Sequence, residues 1–137
     1  MSNQYYKHNA MRIIKFRGKF KSNGQWEYGD LLHDNVWGCY IYPIKSENLY
    51  KDNEVIPETV GQFTGLLDKN GNEIYEGDIL KVPGTQKKIE VRFVRGVFAF
   101  LWNGNLEEES PINAPTQEWA EVIGNIHDNP YLLNQIV

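Results

Sequence analysis

Apolar and polar residues alternate with a period of two between residues 12 and 21. Phe16, Gly18 and Phe20 fall on one face, and lysine or arginine occupies the positions between them. A period of two with one apolar face predicts a half-buried β-strand. The Asn23-Gly24 pair that follows suits a tight turn, because both residues tolerate a positive φ. Residues 25–32 return as a second strand, so we predict a β-hairpin.

Short β-forming segments recur along the rest of the chain, separated by Gly, Asn and Pro. Strands are predicted at 36–44, 56–66, 79–82, 87–94, 97–102 and 119–126. Asn129 followed by Pro130 suits the start of a short C-terminal helix. We therefore predict a mainly β fold. Its parts are a flexible extension (1–10), an N-terminal β-hairpin region (11–55), and a region (56–137) whose short strands close as a small barrel to remove exposed edges.

The strand at 97–102 is apolar on both faces, which is unusual for an antiparallel strand. Such a strand needs cover twice, from the rest of the chain or from a second subunit. We predict a homo-oligomer on this basis. Alternatively, exposed aromatics beside basic residues would suit single-stranded nucleic acid. In either case the candidate interaction surface consists of Phe98, Phe100, Trp102, Lys88, Arg92 and Arg95.

The order Asn-Gly, Tyr, Gly-Asp occurs twice, at 23–30 and again at 70–78. In each copy the Gly-Asp pair suits a kink or bulge, with the Asp accepting from nearby backbone N–H groups. We interpret the repeat as a folding device. A hydrolase using Asp30 or Asp78 is an alternative, and it requires both carboxylates to line one pocket. The residues assigned to this structural motif are Gly29, Asp30, Gly71, Gly77 and Asp78.

Charge and composition narrow the function classes. The net charge of -4 argues against a polyanion partner, so the basic face of the first strand is interpreted as a solvated face rather than a phosphate-binding stripe. The single Cys39 excludes an intrachain disulfide. No apolar run approaches the roughly 20 residues of a membrane span. His33 and His127 each lack a second His or Cys at ligand spacing, so no metal or cofactor is predicted.

Two separated motifs resemble those of a known family. Residues 62–79, QFTGLLDKNGNEIYEGDI, resemble the signature of the YopX family of phage and prophage proteins, and residues 121–133, EVIGNIHDNPYLL, are similar to its closing motif. The start, IKFRG at 14–18 with Trp26 and Tyr28, also fits. The resemblance implies a mainly β fold with an SH3-like small barrel in the second half, and an origin in a phage or prophage of a Gram-positive bacterium. It implies no activity, ligand or catalytic residue.

From these observations we expect a non-enzymatic scaffold in the bacterial cytoplasm that self-associates and binds an unidentified phage or host protein. A single-stranded nucleic-acid-binding module is the alternative, and a carboxylate-dependent hydrolase is less favoured. No membrane partner is expected.

Overall fold

A computed structural model describes residues 12–43, 52–105, 109–111 and 116–134. Their fold is mainly β, as predicted, and consists of two antiparallel sheets. The helical pieces are the 3₁₀ turns Pro57–Thr59 and Pro130–Asn134 and the short helix α1, Thr116–Trp119. The strands are β1 (Phe16–Lys19), β2 (Trp26–Asp34), β3 (Gly38–Tyr42), β4 (Glu54–Val55), β5 (Gly61–Leu67), β6 (Glu73–Tyr75), β7 (Asp78–Lys81), β8 (Lys88–Val94), β9 (Val97–Trp102), β10 (Glu109–Pro111) and β11 (Glu121–Asn125).

The first sheet has the strand order β4-β3-β2-β1-β5-β6. The predicted β1–β2 hairpin is present, with Arg17 opposite Tyr28. On its other side β1 pairs with β5, where Arg17 faces Gly61. Strands β5 and β6, which we assigned to the C-terminal barrel, therefore belong to the sheet of the N-terminal strands. The hydrophobic pattern of β5 identifies a strand but cannot tell which distant edge it will join.

The second sheet has the order β10-β9-β8-β7-β11. Strands β10 and β11 form its two edges, and no pairing in the described part of the chain joins them. The predicted SH3-like barrel is therefore not closed by strand pairing among these residues. Of the five strands predicted in this region, β5 belongs to the first sheet, and β10, which was not predicted, is the fifth strand of the second sheet.

The buried apolar residues form two clusters, one that spans both sheets and one within the first sheet. One cluster joins Ile74 and Leu80 to Phe100, and the other joins Phe20 to Ile41 and Val55. Strand β9 is covered on both faces inside this chain, because Phe100 lies in the first cluster while Ala99 and Leu101 are buried on the opposite face. A second subunit is therefore not needed to cover the middle of β9.

The predicted flexible extension, 1–10, lies outside the described residues. The predicted C-terminal helix is present as the 3₁₀ turn Pro130–Asn134. At its start the Leu132 N–H donates to the Asn129 carbonyl at 3.0 Å. Over the described residues, no helix has the length and apolar character needed to cross a bilayer.

Candidate functional site

The chain passes from the first sheet to the second at Glu76 and Gly77, which we call the junction turn. The Glu76 N–H donates to the Gln62 carbonyl at 2.9 Å, and the Gly77 N–H donates to the Val91 carbonyl at 2.7 Å. The Gly77 carbonyl accepts from the Ile126 N–H at 2.9 Å. Gly77 has φ of 95°, a left-handed conformation that glycine adopts without steric cost. The junction turn is thus held by β5, by β8 and by the segment after β11.

A buried ion pair lies directly behind the junction turn. The Arg17 guanidinium is 2.8 Å from the Asp78 carboxylate, and the two side chains are 7% and 2% exposed. The guanidinium carbon lies 4.6 Å from the centre of the Trp26 ring and 5.0 Å from that of Tyr75. The second Asp78 oxygen accepts from the Tyr75 N–H at 2.7 Å. Burial raises the pKa of Asp78, and Arg17 opposes that rise.

Asp78 therefore closes a turn and neutralises a buried arginine. This is the turn-closing contact that the folding-device interpretation of the motif predicted. Both of its oxygens are occupied by groups of the protein itself. The arrangement suits a structural junction between two sheets better than a catalytic carboxylate, which must reach a substrate.

Every cation on the basic face of β1 and its flanks is paired with a carboxylate. The exposed Lys21–Glu54 pair is 2.8 Å long. Two of the four carboxylates, Asp78 in β7 and Asp128 after β11, belong to the part of the chain that forms the second sheet. Their ion pairs therefore connect the first sheet to the second. The face therefore offers no uncompensated positive stripe to a phosphate backbone. The pairs are Lys15–Glu73, Arg17–Asp78, Lys19–Asp128 and Lys21–Glu54.

Asp128, a residue of the motif at 121–133, contacts two strands of the first sheet through Lys19 and Trp26. Besides Lys19, its carboxylate accepts from the Trp26 indole N–H at 2.7 Å and from the Asn125 side-chain amide at 3.1 Å. Burial works against ionisation of this carboxyl, but the three hydrogen bonds outweigh it and lower the pKa of Asp128 to about 2. Residues far apart in sequence thus meet at one junction.

A cleft of about 400 Å³ opens beside the junction turn, and we call it the junction cleft. This volume falls within the range of roughly 300–1,000 Å³ that small-ligand pockets occupy. Apolar side chains form part of its lining, among them Val60, Phe93 and Ile126. The polar residues that line it are Glu58, Glu76, Glu90, Arg92 and His127.

The three glutamates of the junction cleft differ in what balances their charge. Glu90 is 2% exposed, and its two oxygens accept from the Arg92 Nε at 2.8 Å and the Arg92 Nη2 at 3.0 Å. Among the described residues, neither Glu58 nor Glu76 has a cation within salt-bridge distance. Burial raises the pKa of Glu76, while the Gln62 N–H and the more distant Arg17 and Arg92 oppose the rise. Glu76 is thus a half-buried carboxylate to which the described ranges supply no direct cationic partner.

His127 lines the cleft next to the junction turn. Its ring centre lies 5.8 Å from that of Trp26, and its Nε2 is 3.6 Å from the point where a Gly77 side chain would begin. Burial lowers the pKa of His127, and the nearby Arg17 lowers it further. The imidazole is therefore neutral near pH 7 and leaves the negative charge of the cleft uncompensated. Within the described ranges, no group of three or more His, Cys, Asp or Glu residues is placed to hold a metal ion.

The interaction surface predicted on β8 and β9 is divided between two faces of the sheet. Its residues were Phe98, Phe100, Trp102, Lys88, Arg92 and Arg95. Cross-strand pairing places the aromatic residues beside Phe93, Val91 and Ile89, and leaves Lys88 and Arg92 on the opposite face. Phe100 is 4% exposed, and the buried Lys88 donates to the Gln86 carbonyl at 3.2 Å. Arg95 lies at the β8–β9 turn with φ of 49°. The six side chains do not form one surface.

The first copy of the Gly-Asp pair has a different role from the second. Gly29 lies in the middle of β2, where a side chain would begin only 2.1 Å from the Tyr42 carbonyl oxygen. Asp30 is exposed on the same strand, and it does not line the cleft beside Asp78, which Arg17 and Tyr28 help to form. Gly71, with φ of 83°, forms the β5–β6 turn. The paired-carboxylate site considered from the sequence is therefore not assembled by these contacts.

Sequence reasoning did not single out Glu76, Glu90 or the pairing of Arg17 with Asp78. Glu76 stood in the motif as an ordinary polar residue, and Arg17 as one member of a basic face. One signal was available: two motifs far apart in sequence suggest that their residues meet in space. That signal predicts that the two motifs meet in the fold, but it does not predict which carboxylate there is without a cationic partner among the described residues.

The fold and its junction define a mainly β protein whose two sheets are joined by motif residues. A model of the YopX protein family matches residues 15–134, and the chain belongs to that family. Among solved structures the chain is similar to protein EF1440 from Enterococcus faecalis, known from a crystal structure. The two are 27% identical with a TM-score of 0.54, and the match covers 90% of this chain and 99% of that one. A search of curated proteins found no match.

Proposed function

We propose that this YopX-family chain is a non-enzymatic protein that self-associates and acts by binding a phage or host protein in the bacterial cytoplasm. The supporting observation is the distal end of the β2–β3 hairpin. There Leu32, Val36 and Trp37 are 53%, 80% and 71% exposed. Large apolar side chains grouped at an exposed position are typical of protein-interaction sites, and tryptophan is enriched among residues that dominate binding energy.

The turn that carries these side chains is fixed before any partner arrives. One Asp34 oxygen accepts from the Val36 N–H at 2.7 Å and from the Trp37 N–H at 2.9 Å. These hydrogen bonds lower the pKa of Asp34. The Tyr40 hydroxyl donates to the Trp37 carbonyl at 2.9 Å, and Tyr40 pairs with Leu32 across the hairpin. A preformed turn costs less conformational entropy on binding than a flexible one.

Charge distribution favours a protein over a nucleic acid as the partner. A nucleic-acid module needs cations that are free to replace the counterions of phosphates. The four cations of the β1 face are each paired with a carboxylate, and the whole chain carries a net charge of -4. Fluorescence anisotropy with labelled oligonucleotides at low salt tests the alternative, and binding there would favour it.

Size-exclusion chromatography with light scattering tests self-association. We expect the wild-type mass to exceed that of the monomer at micromolar concentration, and Trp37→Ala to shift it to the monomer. Tyr131→Ala is the matched control, because Tyr131 is also an exposed aromatic residue but lies in the C-terminal 3₁₀ turn. Circular dichroism of each variant establishes that it is folded. A strictly monomeric wild type would contradict the proposal.

A further inference from the structure

The junction cleft contains more negative charge than the protein itself balances. Glu90 is neutralised by Arg92, whereas Glu58 and Glu76 have no salt-bridge partner among the described residues. Glu76 is the more informative of the two, because it is half-buried and the partner of its side chain among the described residues is a neutral group, the Gln62 N–H at 3.3 Å. Removing a carboxylate from water without a cationic partner destabilises a fold. A residue with that cost is commonly kept for binding.

The apolar part of the cleft restricts what kind of cation fits. Val60, Phe93 and Ile126 line the same space as Glu76. Phe93 is 49% exposed, so its ring is accessible to a ligand from outside. A long aliphatic chain that ends in a positive charge can contact the apolar wall with its methylene groups and the carboxylate with its charged end. A bare metal ion would leave the apolar wall unused, and the described residues offer no cluster to coordinate one.

The cleft already shows that a guanidinium can be held there. Arg92 binds both oxygens of Glu90 in the parallel geometry that arginine and carboxylate prefer. The internal pair uses Glu90 and leaves Glu76 available. The neutral His127 on the other side of the junction turn adds no competing positive charge.

We propose that the junction cleft binds a lysine or arginine side chain of a protein partner, with the aliphatic stem against Phe93 and Val60 and the charged group at Glu76. This deepens the proposed function, on which it rests for the protein nature of the partner. It assigns to the glutamate of the central motif a role separate from that of the neighbouring Asp78, which stabilises the junction.

Heteronuclear NMR with model side chains tests the proposal. We expect N-acetyl-lysine amide and N-acetyl-arginine amide to shift the amide signals around Gly77, Phe93 and Ile126 in a saturable way. N-acetyl-norleucine amide, which has a similar apolar chain without the charge, is the ligand control and should leave them unchanged. Loss of one charge-assisted hydrogen bond should weaken binding to Glu76→Gln about tenfold. Glu118→Gln, a substitution at an exposed position of α1, should bind as the wild type does.

Phe93→Ala provides a second variant that leaves the charges in place. It should weaken binding about threefold through the lost apolar contact of the aliphatic stem with the ring. The proposal is overturned if the lysine and norleucine amides cause the same shifts, if no shifts occur at millimolar ligand, or if Glu76→Gln binds as tightly as the wild type. Tighter binding of spermidine or Mg²⁺ than of the lysine amide would also overturn it in favour of a free cation.

The two proposals can fail independently. Monomeric Trp37→Ala should keep the lysine-amide shifts, because the β2–β3 hairpin does not line the junction cleft. If the lysine amide shifts the cleft signals but the wild type is monomeric, the self-association proposal is wrong and the cation-binding site in the cleft is supported. If the wild type self-associates but the lysine amide causes no shifts, the proposed cation site is wrong and the self-association proposal stands.

Discussion

The buried pair of Arg17 and Asp78 gives the sharpest test of how the two sheets are held together. Asp78→Asn keeps the shape of the side chain but removes the negative charge 2.8 Å from the guanidinium. Arg17 would then be a buried cation whose remaining partners among the described residues are the Glu76 carbonyl, at 3.4 Å, and the two aromatic rings. Removing one partner of a buried pair costs about 3–5 kcal/mol of unfolding free energy.

We expect Asp78→Asn to lie at the lower end of that range. The new side chain retains an amide oxygen that can accept from the Tyr75 N–H, now bound at 2.7 Å. Arg17→Met removes the cation and leaves Asp78 buried and unpaired, so it should cost a similar amount. The double variant contains neither charge and should lose about 1–3 kcal/mol less than the sum of the two single variants.

Urea unfolding, followed by tryptophan fluorescence and by circular dichroism, measures these free energies. Coincident transitions by the two probes establish that unfolding is two-state. Lys21→Met is the control, because its pair with Glu54 is exposed and should contribute much less. Single variants that cost under roughly 1 kcal/mol, or effects that simply add, would refute a coupled buried pair.

Further predictions concern the junction turn and its acid response. Gly77→Val should destabilise the fold by about 1–3 kcal/mol because Gly77 has a positive φ. The loss should exceed that of Gly71→Val, because Gly71 also has a positive φ but, unlike Gly77, has no described side chain within 4 Å of the added Cβ. Equal urea midpoints for the two variants would contradict this prediction. Because the pKa of His127 is lowered from 6.5, stability should fall as the pH drops below that value, and His127→Gln should reduce the fall. The pKa of Asp128 is lowered from 3.8 to about 2, so Asp128→Asn should flatten the stability loss between those pH values; unchanged pH profiles would contradict both.

Local features of the fold were predictable because local physics determines them. The alternation around Phe16 and the Asn23-Gly24 turn sufficed for the β1–β2 hairpin. The pairing of β1 with β5 was not predictable, since it joins Arg17 to Gly61 across a long stretch of chain. The second sheet has β10 in place of the predicted β5, and its edge strands β10 and β11 do not pair with each other in the described part of the chain, so the predicted barrel is not closed.

The candidate site was less predictable than the fold. A lysine or arginine on a strand face looks the same in sequence whether it faces water or a carboxylate from another sheet. Whether Glu76 has a cationic partner likewise depends on which lysines and arginines the folded chain brings near it, and the described part of the chain brings none within salt-bridge distance. Alternation did place Phe100 and Arg92 on strands, but the cross-strand register decided that they occupy opposite faces.

The unfolding free energy of Glu76→Gln at neutral and at acid pH tests most directly whether this carboxylate is kept for a ligand. Burial raises the pKa of Glu76 above 4.5, so its ionised form destabilises the fold at pH 7, and the cost disappears as the carboxyl is protonated. Glu76→Gln should therefore be more stable than the wild type at pH 7, with a gain that shrinks as the pH falls towards 4.5 and levels off below it. A variant that is less stable than the wild type at pH 7 would show that Glu76 stabilises the fold, and would contradict its assignment to binding.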